Sequence, residues 1–491
     1  MRHSLKIAFV ASEVDPFSKA GGLGDVARSL PKAIKRLGHQ IIVITPLYRS
    51  IDTKKHKLNL IISDITLNID ETTTRHFAVW QGWLMEGLPI YFIDSKRYFS
   101  GQKRIYGSRF DNRRFFFFNL ATLELLRQIK FKPDLIQCND WQTGLIPHFI
   151  NKRFPQETFF DNTATVFTIH NLAFQFAHNW WSIPNKLKDK GHTRLPRFAE
   201  KEKVERINFA KRAIINADII NTVSEQYAQE IMTRHFGQDL HRHLQGRSDK
   251  LFGIVNGIDY DVYNPAKDPG LRVNYDANHL DGKKENKAYL QKVFKLPVMR
   301  DIPVIGMATR ISEQKGFDLI MDIVEPLMRL DFQLILVGGG EKKYERFIKK
   351  VRQEYPAKIA AHLEFSTKIA TQIYAGSDLF LMPSRFEPCG LGQLISSRYG
   401  SIPIVRATGG LADTIKNYNP QTESGNGFVF KSYDSRDMLV AITRALENYR
   451  HQEKWLRLVS NAMQQSFGWE IPANKYIKLF QRAVKIKQKE K

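Results

Sequence analysis

Short apolar runs alternate with longer amphipathic stretches along nearly the whole chain. Runs with the character of buried strands fall at residues 5–11, 40–46, 88–94, 134–140, 164–171 and 218–224. A second set falls at 252–256, 303–309, 333–338, 362–365, 378–384 and 402–408. Between them apolar residues recur at helical spacing, for instance over 25–37, 317–329, 341–354 and 469–486. Strands separated in this way by helices make parallel sheets covered on both faces. The pattern therefore predicts an α/β fold with doubly wound sheets. Two alternating runs between residues 57 and 85 predict a local antiparallel insertion, and the phenylalanines at 115–118 read as part of an amphipathic helix.

Two strand sets predict two domains. The break falls in residues 253–269, rich in turn formers and without sustained periodicity. The expected division is 1–252, 253–468 and a final helical segment, 469–491. In doubly wound folds ligands bind at the carboxyl ends of the strands, and a two-domain chain offers the space between its domains. Functional residues are therefore sought just after strands.

Composition narrows the class. No apolar run reaches membrane-spanning length. The N-terminus has a basic start, but its apolar run is short and acidic residues follow at once. A first strand fits better than a signal peptide, and a cytoplasmic setting is expected. The two cysteines, Cys138 and Cys389, are far apart and suggest neither a disulfide framework nor a zinc site. The net charge of +24 admits nucleic acid, an anionic surface or an anionic substrate. The basic residues are spread out, with denser stretches at 96–114, 186–206 and 485–491, and none forms a nucleic-acid module. A solvated basic surface is the favoured reading, with no specific nucleic acid and no membrane partner.

Candidate chemistry begins at KAGGLGDV, residues 19–26. A lysine beside paired glycines at a helix start suits an anion, because amides approach closely and the helix end is electropositive. Gly22, Gly24 and Ala27 also match a dinucleotide fingerprint. Against nicotinamide, a polar loop separates strand from glycines, and the next strand ends in Thr45-Pro46 rather than an acid. Arg310 and Lys315 share one loop after a strand, and two such cations suit a diphosphate. Glu387 precedes Gly390, Leu391 and Gly392, whose amides suit an anion beside a carboxylate that holds hydroxyls. Cys389 reads as a packed small residue. His170-Asn171 and Asp140-Trp141 each end a strand. Asp259-Tyr-Asp261 has the form of a D-x-D metal motif but sits in a turn, so no metal is expected.

Together KAGGLGDV, TIHN, NGID, RISEQKG, PSRFEPCGL and TGGLADT resemble, in order and spacing, bacterial glycogen synthases and plant starch synthases. The resemblance runs from Lys6 to the last helix. It implies the GT-B architecture, two Rossmann-like domains facing a deep cleft with the last helix returning to the first. It implies glucose transfer from ADP-glucose to the nonreducing end of an α-1,4-glucan such as glycogen, with retention of configuration and without a cofactor.

By motif, Lys19 and Gly22 meet the donor's phosphate and sugar region. Asp25, Asp140 and Asn171 lie on the sugar and acceptor side, His170 lies near the transferred glucose, and Asn256 binds a glucose hydroxyl. Arg310 and Lys315 hold the diphosphate and Glu387 the sugar hydroxyls. Cys389, the Gly390 and Leu391 amides and Thr408 complete the donor pocket. Phe365 falls where the family stacks an aromatic on adenine.

The chain departs from the family at Gln137-Cys-Asn139-Asp140-Trp141, where His-x-His-Asp-Trp is frequent, which puts an acceptor contact in doubt. Gly392 replaces a frequent threonine, and residues 175–196 are not glycine-rich as the family pattern leads one to expect. Competing readings are another retaining sugar-nucleotide transferase, a decayed glucan-binding protein and a charge-driven nucleic-acid binder. Ile395 stands where many of the first class carry a second glutamate.

Overall fold

The computed structural model describes residues 4–153 and 158–489. The start of the basic N-terminus and the last two residues of the terminal basic run lie outside them. The chain divides into two compact units, one running through Asn256 and resuming at Trp469, the other Gly257–Gly468.

The first unit is built on one sheet. Its strands are β1 (Lys6–Val10), β2 (Gln40–Pro46), β3 (Asn59–Asp70), β4 (Thr73–Met85), β5 (Leu88–Asp94), β6 (Leu135–Asn139), β7 (Ala164–Ile169), β8 (Ile219–Thr222) and β9 (Leu251–Gly253). Their spatial order is β3-β4-β5-β2-β1-β6-β7-β8-β9. The expected antiparallel insertion is the hairpin of β3 and β4, which extends the sheet at one edge. The remaining neighbours pair in parallel.

Two sequence expectations need correction here. Residues 252–256 were counted with the second strand set, yet β9 pairs with β8, so residues 253–256 belong to the first unit. The helix Asp111–Gln128 is not amphipathic. All four phenylalanines, Phe115 to Phe118, are buried, and so are Asn112, Arg114 and Asn119 on its other sides. A helix buried all round belongs to the interior, and each enclosed ring contributes about 1.5–3 kcal/mol. The last helix, Glu470–Lys489, is part of this unit and packs on the helix Gly22–Arg36 and on β7. Its Tyr476 hydroxyl accepts from Asn221 Nδ2 at 3.0 Å.

The second unit carries β10 (Val304–Ala308), β11 (Gln333–Val337), β12 (Ile359–His362), β13 (Leu379–Met382), β14 (Ile402–Arg406) and β15 (Phe428–Phe430). They form an all-parallel sheet in the order β12-β11-β10-β13-β14-β15. The strand expected at 362–365 lies earlier, because its pairing residues include two weakly apolar alanines, Ala360 and Ala361. β15, only three residues long, leaves no periodic signal. The helix expected over 317–329 is two, Phe317–Asp322 and Val324–Met328. Pro326 lacks the N–H that would have bonded back across the break. Among the described residues no helix is long and apolar enough to cross a membrane. Cys138 and Cys389 are both buried, and neither is in a disulfide.

Candidate functional site

Strand order fixes where side chains can converge. In the first sheet β2 and β6 flank β1, and in the second β11 and β13 flank β10. Chain connections leave in opposite directions at these points and open a crevice at the carboxyl ends of the strands. Lys19, Gly22 and Asp25 follow β1, Asp140 follows β6, and His170 and Asn171 follow β7. In the second unit Arg310 and Lys315 follow β10, Phe365 follows β12, Glu387 to Leu391 follow β13, and Thr408 follows β14. Asn256 follows the edge strand β9, as Phe365 follows the edge strand β12. Asn256 is buried, and its Oδ1 has no hydrogen-bond partner among the described residues.

In the first unit the glycine loop already holds an anion, and it is the chain's own. The Glu13 carboxylate accepts from the amides of Ala20 at 2.5 Å, Gly21 at 3.1 Å and Gly24 at 3.2 Å. Two of these are donors that the start of a helix leaves unpaired. The loop bearing Glu13 is itself tied down, since Tyr48 donates to the Ser12 carbonyl and the Tyr106 and Ser12 hydroxyls bond, each at 2.7 Å. Burial pushes the Glu13 carboxyl up to about 7, against the pull of its three amides, and the nearby Asp140 adds to the rise. Lys19 is ion-paired with Asp25 at 2.6 Å. The amide of Gly22 has no acceptor among the described residues.

Asp140 has φ +56, a left-handed conformation that costs a non-glycine residue about 1–3 kcal/mol. It is held by bonds to the next strand end, its Oδ1 accepting from the His170 amide at 2.7 Å. Burial raises its carboxyl to about 7. The His170 imidazole is driven down to about 3 by burial, so it is neutral at ordinary pH. Its Nε2 lies 3.0 Å from Asn139 Oδ1. Asn171 closes a turn, its Oδ1 accepting from the Ala173 amide at 3.0 Å.

In the second unit Lys315 and Glu387 meet at 2.5 Å, and Ser384 Oγ donates to the same Glu387 oxygen at 3.0 Å. Arg310 is exposed, and its side chain has no partner among the described residues. Arg385 interlocks the two loops. Its amide donates to the Gln314 carbonyl at 2.8 Å, and its guanidinium pairs with Glu313 at 2.8 Å and Asp318 at 3.3 Å. Tyr433 adds a bond to Asp318 at 2.6 Å and lies under that guanidinium. The TGGLADT turn packs on the same place, with the Gly410 amide donating to the Glu387 and Pro388 carbonyls at 3.2 Å. Cys389 and Thr408 are buried, and Phe365 is 66% exposed, free to stack on a flat ring.

Gly316, next to Lys315, has φ +78, and a Cβ there would overlap the Pro383 carbonyl oxygen. Gly316→Ala is expected to lower stability by at least about 2 kcal/mol, read from the urea midpoint, and to lower activity by shifting Lys315.

Sequence reasoning gave no role to three residues at these crevices: Glu13, Asn139 and Arg385. Asn139 stood out only as a departure, Arg385 lies within PSRFEPCGL without being singled out, and Glu13 stands in the polar loop before KAGGLGDV.

Comparison with known proteins gives this arrangement a family. Residues 6–246 match the starch synthase catalytic domain, and residues 291–464 match glycosyl transferases group 1. The chain is 45% identical to a glycogen synthase of Desulforudis audaxviator, over 98% of this chain and 97% of that one. It is 42% identical to one of Pseudothermotoga lettingae, over 99% and 100%. The catalytic domain of starch synthase IV from Arabidopsis thaliana, solved with ADP and acarbose, superposes with a TM-score of 0.86 at 36% identity, over 98% of this chain and all of that one. A sucrose-phosphate synthase from Thermosynechococcus elongatus, 18% identical with a TM-score of 0.61, shares the fold. With two doubly wound α/β units of the GT-B class matched along its full length, the chain belongs to the family of starch and glycogen synthases.

Proposed function

We propose that this chain transfers glucose from ADP-glucose to the nonreducing end of an α-1,4-glucan, with retention of configuration. The observation that carries the reading is the trio of Arg310, Lys315 and Glu387 at the switch point of the second sheet, in a chain that matches glycogen synthases from end to end. The related starch synthase was solved with ADP and with acarbose.

Breaking the bond between glucose and phosphate sends an electron pair to the departing diphosphate oxygen and leaves positive character on the sugar carbon. Arg310 and Lys315 offset the first change. Such prearranged charges supply a large part of catalysis, about 10²–10³-fold for a single well-aimed donor. The glucan hydroxyl attacks the sugar carbon on the face that the phosphate leaves, which retains configuration, and its proton passes to the departing phosphate oxygen. Lys315 has three N–H donors and serves both Glu387 and a phosphate oxygen. Glu387 and Asn256 accept from glucose hydroxyls, the second through its unpaired buried Oδ1. The Gly390 and Leu391 amides take the distal phosphate, and Phe365 stacks on the base. In the first unit Lys19 and the Gly22 amide belong to the donor side, while Asp25, Asp140, His170 and Asn171 belong to the side of the sugar and acceptor. Side-chain cations stand in for a metal in this reading, and the setting is cytoplasmic.

A donor screen tests it. Glycogen incubated with the chain is expected to gain glucose from ADP-glucose, with kcat/KM for UDP-glucose at least about tenfold lower. No incorporation from ADP-glucose, or equal use of both donors, overturns the assignment.

A further inference from the structure

β6 and β7 lie side by side with Asn139 opposite Thr168, so Asn139 and His170 meet at the ends of neighbouring strands. Asn139 is fully buried. Its Nδ2 donates to the Val10 carbonyl on β1 at 3.0 Å. A carbonyl only accepts, which fixes the amide one way round and leaves Oδ1 as an acceptor on its other side. That oxygen stands 3.0 Å from His170 Nε2. An acceptor facing a ring nitrogen requires the nitrogen to carry the proton. Burial keeps the imidazole neutral, so the ring has one proton to place. With it on Nε2, Nδ1 is a lone pair, and no group among the described residues bonds it. The backbone is fixed too, because the His170 amide donates to Asp140. Two consecutive residues, Asn139 and Asp140, thus hold both ends of one histidine.

We infer that Asn139 is a positioning residue that locks His170 in the Nε2–H tautomer and leaves Nδ1 as an acceptor for a ligand's hydroxyl. Only the identity of that hydroxyl, a sugar's, rests on the proposed function. The family histidine missing at position 139 is then no loss of an acceptor contact, since Asn139 is fully buried and faces His170 and Val10.

Nitrogen NMR of the histidine-labelled chain tests this, with the His170 signals identified by their loss in His170→Gln. The wild-type spectrum is expected to show Nε2 protonated and Nδ1 unprotonated at neutral pH. Asn139→Leu, similar in size and unable to bond, is expected to spread the proton over both ring nitrogens and to lower kcat/KM for ADP-glucose about tenfold to a hundredfold. In a His170→Gln background the same change is expected to cost less than about threefold. A wild-type His170 with its proton on Nδ1 overturns the inference. So does an undiminished Asn139→Leu loss in the His170→Gln background, the mark of a packing residue. The wild-type spectrum needs neither a variant that folds nor a donor. A chain inert toward ADP-glucose would therefore overturn the proposed function and leave this readout standing.

Discussion

Arg310→Ala is expected to lower kcat with ADP-glucose by about 10²–10³-fold while leaving the unfolding free energy within about 0.5 kcal/mol of wild type. The two halves of that expectation come from one observation. Arg310 is exposed on the loop after β10, and no side-chain partner among the described residues holds it. Truncation therefore strands no buried charge and opens no cavity. Its cost should fall on the charge that develops as the diphosphate leaves. Arg310→Lys should recover part of the loss, since it restores charge without the planar fork that grips two phosphate oxygens at once. Turnover and urea unfolding measured on the same preparations check both halves. Wild-type turnover in Arg310→Ala removes this residue from the diphosphate site.

The fold was legible because buried parallel strands are written as continuous apolar runs, and β2 and β5 were bounded to the residue. What escaped was short or weakly apolar, as in β15 and the alanines of β12. At the site, residues such as Arg310, Glu387 and His170 were legible because each follows a strand. Glu13 was not. A carboxylate and a phosphate ask the same thing of an amide cradle, and nothing in KAGGLGDV says that the anion comes from earlier in the same loop. Asn139 escaped for a different reason. Its meaning lies in bonds to Val10 and His170, which are distant in sequence and brought together by β1 and β7. Pairing of Lys19 with Asp25 and of Lys315 with Glu387 likewise changes the reading of residues that the sequence presents as separate charges.

That pairing adds a structural role to the one proposed for Lys315, and a double-mutant cycle is expected to divide the two. The Lys315 and Glu387 side chains are 15% and 9% exposed and meet at 2.5 Å. Breaking a fully buried pair costs about 3–5 kcal/mol, and the exposure left here brings the expected cost of Lys315→Ala to about 2–3 kcal/mol. Most of it is the Glu387 charge left without its cation. Glu387→Gln in the same chain removes that charge, and its carbonyl can still accept from Ser384 Oγ, now 3.0 Å from the carboxylate. The double variant is therefore expected to regain stability to within about 1 kcal/mol of wild type. Activity should not return with it. If Lys315 offsets charge on the departing diphosphate, Lys315→Ala and the double variant both stay about 10²–10³-fold below wild type in kcat. Recovery of turnover along with stability would mean that Lys315 serves only to neutralise Glu387, leaving Arg310 as the sole diphosphate cation of the second unit in this reading.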